Sequence, residues 1–214
     1  MRQSYLVKKR MFDLVCATVG LLLASPLFLF ISLWIKLDSR GPIFFRQRRV
    51  GLNGRHFWIC KFRTMVHDAP RRGKEITVSG DPRITRAGRF LRKYKLDELP
   101  QLFNVIRGEM SLVGPRPEVP RYVELYDQQQ KQVLSMLPGV TDEASIRYRN
   151  ENELLGGRED AEKIYIEVVM PDKLRLNLAY MEEASMKKDI AILFRTLLAI
   201  AGLDKKSHEE LGRR

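Results

Sequence analysis

Residues 14–35 read LVCATVGLLLASPLFLFISLWI, and this stretch of 22 residues contains no charged side chain. A helix of that length covers the hydrocarbon thickness of a bilayer. The stretch fits a secretory signal poorly, because it is long and no small-residue cleavage site precedes a polar segment. It therefore predicts a membrane helix, the main part of an anchor over residues 1–39.

The sequence around this helix leaves its topology open between two arrangements. Ser25 and Pro26 stand at its middle, where a proline removes a backbone hydrogen bond and kinks a helix. Basic residues favour the cytoplasmic side of a membrane, and here they flank both ends of the helix: Lys8, Lys9 and Arg10 before it, and Lys36 and Arg40 after it. A helix that bends at Ser25-Pro26 and re-enters one leaflet satisfies both features. A single span with a tolerated proline is the alternative.

A strongly basic segment follows the helix. Residues 40–95 contain sixteen Lys and Arg and three acids, so they hold the positive charge of a chain whose net charge is +12. Charge concentrated in this way predicts a polyanionic partner, which can be nucleic acid, anionic lipid or a phosphorylated substrate. The two cysteines, Cys16 and Cys60, have no metal or redox spacing and are expected to be reduced thiols.

The remaining sequence predicts an α+β fold that is mostly helical. Residues 43–65 contain two strand-like runs joined at Asn53-Gly54, which is a hairpin signal. Residues 83–96 form an amphipathic helical pattern, and a second helix begins near Pro100 and ends at Gly108. The tail over residues 172–203 is mostly helical, and its apolar end is too short to span a membrane. We expect it to lie at the membrane interface or to complete the core.

The motif KLDELPQ at residues 95–101 places two acids, Asp97 and Glu98, at the end of the basic segment. They directly precede a predicted helix N-terminus, where the helix dipole favours ionised carboxylates. Either acid could be a helix cap, but capping does not explain why both are needed among so many cations. Ion pairing, metal binding and nucleophilic attack remain open for this pair.

Several cations are candidates for phosphate contacts. In SLVGPRPE, residues 111–118, two prolines hold Arg116 in a rigid loop, which lowers the entropic cost of binding a phosphate. Lys61, Arg63 and Arg92 are further candidates. Each could instead be a surface charge, and Arg63 could simply brace the hairpin.

These motifs closely resemble one family, the bacterial sugar transferases, also called monotopic phosphoglycosyl transferases. The resemblance rests on the apolar helix with Ser25-Pro26 and on five segments: GPIFFRQRRVGLNG, KFRTM, DPRITRAGRFLRKYKLDELPQLFNV, GEMSLVGPRPE and LPGVT. It covers residues 5–141 well. It extends more weakly to Tyr180, Ser185, Asp189 and Thr196, which are similar to the family's tail signature.

The resemblance implies a reaction and its site. A sugar 1-phosphate would pass from a UDP-sugar to polyprenyl (undecaprenyl) phosphate, with release of UMP, as the first membrane step of exopolysaccharide, capsule, O-antigen or glycoprotein glycan assembly. Asp97 would be the nucleophile and would carry a phospho-sugar intermediate, a known covalent strategy for carboxylates. Glu98, together with Asp97, would bind Mg²⁺, which prefers one or two carboxylates plus substrate phosphates.

The resemblance also implies an organisation and a location. Residues 1–39 would be the re-entrant anchor, residues 40–203 the catalytic unit on the cytoplasmic face of the bacterial inner membrane, and residues 204–214 a flexible charged tail. Amphipathic or interfacial helices would surround the active site. Larger members of the family carry further spanning helices and an extra domain, so we expect the minimal form here. The expected partners are the donor, the acceptor and membrane lipids, with a possible homo-oligomer and without nucleic acid.

The chain departs from the family pattern after LPGVT. After LPGVT, members of the family commonly have a Gly and then an Ala-Gln-Val run that ends in Gly-Arg. Residues 142–157, DEASIRYRNENELLGG, lack the Gln and the Gly of this pattern. Arg149 still falls at the position of the final Arg and is a further phosphate candidate. The segment over residues 167–180 is also longer than usual. These differences leave the identity of the sugar open. The alternative to an enzyme is a membrane-tethered polybasic module that binds anionic lipid or nucleic acid, but it leaves LDELPQ and GPRP unexplained.

Overall fold

The structure is a computed structural model that describes residues 3–69, 80–156 and 160–203, without the side chains of residues 152 and 153. The predicted charged tail, residues 204–214, lies outside the described residues. The helices are α1 Gln3–Asp38, α2 Arg86–Lys93, α3 Gln101–Arg107, α4 Pro120–Val123, α5 Glu143–Arg147, α6 Glu151–Leu154, α7 Ala161–Ile164, α8 Met170–Glu182 and α9 Met186–Ile200. The strands are β1 Phe44–Val50, β2 His56–Phe62, β3 Ser111–Val113 and β4 Gly139–Thr141. The described chain is therefore mostly helical, as predicted.

Helix α1 is the predicted apolar helix. It has 36 residues, and within the described ranges it alone is long and apolar enough to cross a membrane. One stripe of the helix is buried against the rest of the protein: Lys9, Asp13, Ala17, Ile31 and Ile35. The opposite stripe exposes large apolar side chains from one end to the other: Val7, Met11, Val15, Leu22, Leu29, Leu33 and Leu37. The helix therefore has one side for the protein and one side that favours an apolar surrounding.

The helix continues through Pro26, so the predicted kink at this position stays a prediction. Pro26 has no N–H to donate to the carbonyl oxygen of Leu22 four residues earlier. The hydroxyl of Ser25 donates to that oxygen instead, at 2.8 Å. Ser25 thus satisfies the acceptor that the proline would leave without a partner.

Two small sheets support the loops that follow. Strands β1 and β2 pair antiparallel from Phe44 opposite Phe62 to Val50 opposite His56, and Asn53 adopts a positive φ of 54° in the turn. The predicted hairpin is confirmed. Strands β3 and β4 pair in parallel, which the sequence did not indicate. The sheet brings Gly114 and Gly139 so close that a Cβ atom on either residue would collide with backbone of the opposite segment.

Three hydrophobic clusters fix these elements. The first joins α1 to the hairpin, α3, β3 and α9, and it includes Ala17, Ile59 and Val105. The second lies among α4, α6, α7 and α8, around Tyr122, Leu155 and Tyr165. The third joins the C-terminal half of α1 to β2 and α2 through Ile31, Ile35, Phe62 and Leu91. Leu96 and Leu99 pack against the third cluster, so it supports the segment that contains the acid pair.

A buried polar network fastens the N-terminal half of α1. The Lys9 ammonium group lies 2.8 Å from the Asp189 carboxylate, and both side chains are almost completely buried. Tyr5 and Tyr180 donate hydrogen bonds to the same carboxylate, at 2.9 and 2.5 Å. Asp13 accepts from the Ser111 hydroxyl at 2.7 Å. Tyr180 and Asp189, identified above as tail-signature residues, therefore hold α1 against α8 and α9.

Candidate active site

The acid pair lies in a 3₁₀ turn, Leu96–Glu98, between α2 and α3. Lys95 adopts the left-handed conformation, with φ 55°, and turns the chain away from the end of α2. Pro100 follows as the N-cap of α3, and Gly108 ends that helix with φ 81°. The predicted position of Asp97 and Glu98, just before a helix N-terminus, is confirmed.

Glu98 is held between two cations. The Lys61 ammonium group lies 2.9 Å from Oε1, and Arg116 donates from Nη1 to Oε2 at 3.1 Å and from Nη2 to Oε1. Burial alone would raise the pKa of Glu98, but Arg116 and Lys61 hold that pKa well below its usual value. Glu98 is therefore ionised, and its charge in turn raises the pKa of Arg116.

Asp97 is in a different situation although it is the neighbouring residue. It is 8% exposed, and its Oδ1 atom is buried without a hydrogen-bond partner among the described residues. Burial raises the pKa of Asp97, as does the negative charge of Glu98, whereas Lys61, Lys95 and Arg92 act in the opposite direction. Asp97 thus keeps a lone pair free for a substrate or a metal ion.

Two of the predicted phosphate-binding cations are positioned firmly around this pair. The backbone N–H of Arg116 donates to Asp142 at 3.1 Å, and Asp142 in turn caps the first turn of α5. Arg92 donates from Nε to the Thr64 hydroxyl at 2.8 Å. Burial lowers the pKa of Arg92, and the charge of Asp97 opposes this effect. With Lys61, these residues surround the acids with positive charge.

The structure places the other two predicted phosphate ligands at helix ends. Arg63 donates to the carbonyl oxygens of Arg40 and Ser39, at 2.6 and 2.7 Å, where α1 ends. Arg149 donates to the carbonyl oxygens of Ala199 and Ile200 at the end of α9. Cations stabilise helix C-termini because the carbonyl groups there carry partial negative charge. No hydrogen bond described for either guanidinium reaches the acid pair, so their phosphate contacts stay predictions.

Gln101 is a candidate that sequence reasoning did not single out, although it ends the KLDELPQ motif. The residue is fully buried, and within the described parts of the chain neither side-chain amide atom has a hydrogen-bond partner. It follows Asp97 by four residues and is the first residue of α3, the helix that follows the turn holding the acid pair. A buried amide without partners is costly, which suits a group that binds water, metal or substrate.

The residues present fit a magnesium ion of the expected kind. The described residues contain no group of three or more His, Cys, Asp or Glu side chains that could hold a metal ion. Mg²⁺ does not need such a cage, because it usually keeps several waters and takes one or two carboxylates plus substrate phosphates. Asp97 Oδ1 is a free ligand atom for it. Glu98 already accepts three hydrogen bonds from Lys61 and Arg116, so a shared metal would compete with these cations.

Comparison with known proteins identifies the class as sugar transferases: the family described as bacterial sugar transferase matches residues 4–202. The chain belongs to the bacterial sugar transferase family.

Curated relatives align with almost the whole chain. The UDP-N-acetylgalactosamine-undecaprenyl-phosphate N-acetylgalactosaminephosphotransferase of Aeromonas hydrophila is 36% identical over 92% of this chain and 44% of its own length. The exopolysaccharide production protein ExoY of Rhizobium meliloti is 37% identical over 90% of this chain and 84% of its own length. The undecaprenyl-phosphate glucose phosphotransferase of Komagataeibacter xylinus is 40% identical, over 90% of this chain and 35% of that relative. The chain thus spans less than half of two of these relatives and most of the third.

Proposed function

We propose that the chain transfers a sugar 1-phosphate from a UDP-sugar to a polyprenyl phosphate through a covalent intermediate on Asp97. The observation that carries this proposal is the asymmetry of the acid pair. Glu98 is held by Lys61 and Arg116, whereas the Oδ1 atom of its neighbour Asp97 is buried without a hydrogen-bond partner among the described residues. The names of the relatives, which include undecaprenyl-phosphate sugar phosphotransferases, support this class of acceptor.

In the first half-reaction, a carboxylate oxygen of Asp97 attacks the β-phosphorus of the donor. The bond from this phosphorus to the bridging oxygen breaks, and UMP leaves with the electron pair. Lys61, Arg92 and Arg116 favour this step because they neutralise charge on the diphosphate, and phosphoryl transfer is catalysed mainly by positioning and charge neutralisation. When bound, Mg²⁺ would add to this neutralisation, with Asp97 and Glu98 as its candidate ligands.

In the second half-reaction, an oxygen of the polyprenyl phosphate attacks the same phosphorus. The Asp97 carboxylate leaves, and the product is a polyprenyl diphosphate sugar. The intermediate is a mixed anhydride of a carboxylic and a phosphoric acid, so its carboxylate is a good leaving group. The proposed reaction therefore needs no external general acid at Asp97.

We also propose that α1 re-enters one leaflet of the inner membrane, with both ends and the catalytic unit on the cytoplasmic face. One folded unit packs on both halves of α1, through Lys9 near one end and through Ile31 and Ile35 near the other. A helix that crossed the bilayer would separate its two ends by a hydrocarbon layer of about 30 Å. A catalytic unit that lies on one side of this layer could not contact α1 near both of its ends, as it does here.

Release of UMP tests the reaction. The chain is purified in nanodiscs and given a panel of UDP-sugars, undecaprenyl phosphate and Mg²⁺, and we expect UMP from at least one donor. Intact-mass analysis after addition of that donor alone should show one added phospho-sugar, and Asp97→Asn should abolish the adduct. Absence of release with every donor would contradict the proposal and favour a polybasic binding module.

A further inference from the structure

Four aromatic side chains form a continuous row from α1 to the end of α2. We call this row the aromatic ladder; its members in order are Phe30, Trp34, Phe90 and Tyr94. Successive ring centroids are 6.1, 5.3 and 4.7 Å apart, within the range of direct ring contacts. Phe30, Phe90 and Tyr94 are 62%, 44% and 38% exposed. The ladder therefore presents ring surface outward along its length.

The two ends of the ladder lie in different surroundings. Phe30 is exposed on α1 directly after Leu29, which belongs to the apolar stripe that favours lipid. Tyr94 is the C-cap of α2 and stands three residues before Asp97. The ladder thus leads from the lipid-facing side of the membrane helix to the segment that holds the acid pair.

Positive charge accompanies the ladder on its α2 part. Arg86, Arg89 and Lys93 are exposed on the outer side of α2, and the Lys93 ammonium group lies 5.4 Å from the centroid of the Tyr94 ring. Lys95 follows Tyr94 directly and is the N-cap of the turn that holds Asp97 and Glu98. An apolar path with a basic end complements an amphiphile with a long apolar chain and a phosphate head.

We propose that the aromatic ladder binds the polyprenyl chain of the acceptor and that Lys95 receives the acceptor phosphate beside Asp97. This inference rests on the proposed function and adds an acceptor site to it. Branched isoprene units pack well on aromatic faces, and a chain fixed at Phe90 and Tyr94 would hold its phosphate near the site of attack. The donor, which has no lipid chain, does not need the ladder.

The two half-reactions separate this proposal from the proposed function. The adduct is first formed with the UDP-sugar that the panel identifies, and its discharge is then followed by intact mass at several undecaprenyl phosphate concentrations. We expect the double variant Phe90→Ala, Tyr94→Ala to form the adduct at the rate of the unchanged chain. Its discharge at low acceptor concentration should be about tenfold slower because two ring contacts are lost. High acceptor concentration should restore most of the rate.

Phe194→Ala is the matched control, because this exposed phenylalanine lies on α9 and not on the ladder. It should leave both half-reactions unchanged. Normal adduct formation also serves as the check that the double variant folds. Discharge of the double variant at the unchanged rate would overturn the ladder proposal and leave the proposed function intact. Equal losses in the control would also overturn it, since they indicate general contact with the bilayer. Absence of an adduct in the unchanged chain would instead count against the proposed function.

Discussion

The two acid-to-amide variants should differ from each other. Glu98→Gln should lower the stability of the fold, whereas Asp97→Asn should keep the stability and abolish the phospho-sugar adduct. Glu98→Gln removes the negative charge between Lys61 and Arg116, and both cations remain in place. Removal of one partner of a buried ion pair costs about 3 kcal/mol, at the low end of the known range since Arg116 is partly exposed. In a domain of this size, that loss corresponds to a fall in Tm of about 9 °C.

Asp97→Asn should instead leave stability unchanged or raise it slightly. The ionised Asp97 is opposed by burial and by the neighbouring charge of Glu98, as the direction of its pKa shift indicates. An amide of the same shape removes both penalties, so we expect a Tm within about 2 °C of the unchanged chain or above it. The same variant should form no phospho-sugar adduct, because an amide cannot replace the carboxylate as nucleophile.

Thermal unfolding in metal-free nanodiscs, followed by the fluorescence of Trp34 and Trp58, measures both variants. The pH dependence gives an independent check. Since the folded-state pKa of Asp97 is raised, its favourable contribution is present at low pH and is lost as the pH rises through that pKa. The stability of Asp97→Asn relative to the unchanged chain should therefore increase as the pH rises above the ordinary pKa of an aspartate. For Glu98, whose pKa is lowered, the contribution persists at pH 7 and is lost only in acid below its usual pKa. A Glu98→Gln variant as stable as the unchanged chain, or a strongly destabilised Asp97→Asn, would refute this reasoning.

Three further predictions concern other parts of the chain. Arg116→Lys should fold but lose at least about tenfold in UMP release, because an ammonium group cannot reproduce the two parallel bonds of a guanidinium; full activity would reduce Arg116 to a structural role. A Cys placed at Ser4 should be protected from a membrane-impermeant thiol reagent in intact cells. Additional exchange of Ser25 and Pro26 for Ala and Leu should make this Cys reactive. Reactivity of the Cys at position 4 while Ser25 and Pro26 are unchanged would contradict re-entry. Lys9→Met should lower Tm by about 9 °C or more, because it leaves the carboxylate of a buried ion pair without its cation, and an unchanged Tm would show that the pair contributes little.

The sequence predicted the elements whose signals are local. Asn53-Gly54 fixed the hairpin turn, and Pro100 and Gly108 fixed the limits of α3. The position of the acid pair followed from the same signals. These features depend on backbone preferences over a few residues, which a single sequence contains.

Long-range features could not be predicted in this way. Strands β3 and β4 have three residues each, too few for a periodic pattern, and they pair across more than twenty residues of intervening chain. The residue types of Arg63 and Arg149 suggested phosphate binding, but the carbonyl groups that they contact belong to helix ends far away in the sequence. The free amide of Gln101 is visible only when the surroundings are known.

The packing of the acid pair bears on how the proposed soluble donor and lipid acceptor would meet at Asp97. Leu96 and Leu99, on either side of the pair, pack against the cluster that includes Ile31 and Ile35 of α1. Any displacement of the acids relative to α1 would disturb this close-packed cluster, so their position relative to the helix is fixed. If α1 lies in one leaflet as proposed, the height of Asp97 above the hydrocarbon is set by the same contacts. Diffusion of the acceptor within the membrane would then bring its phosphate to the level of the nucleophile without a large conformational change.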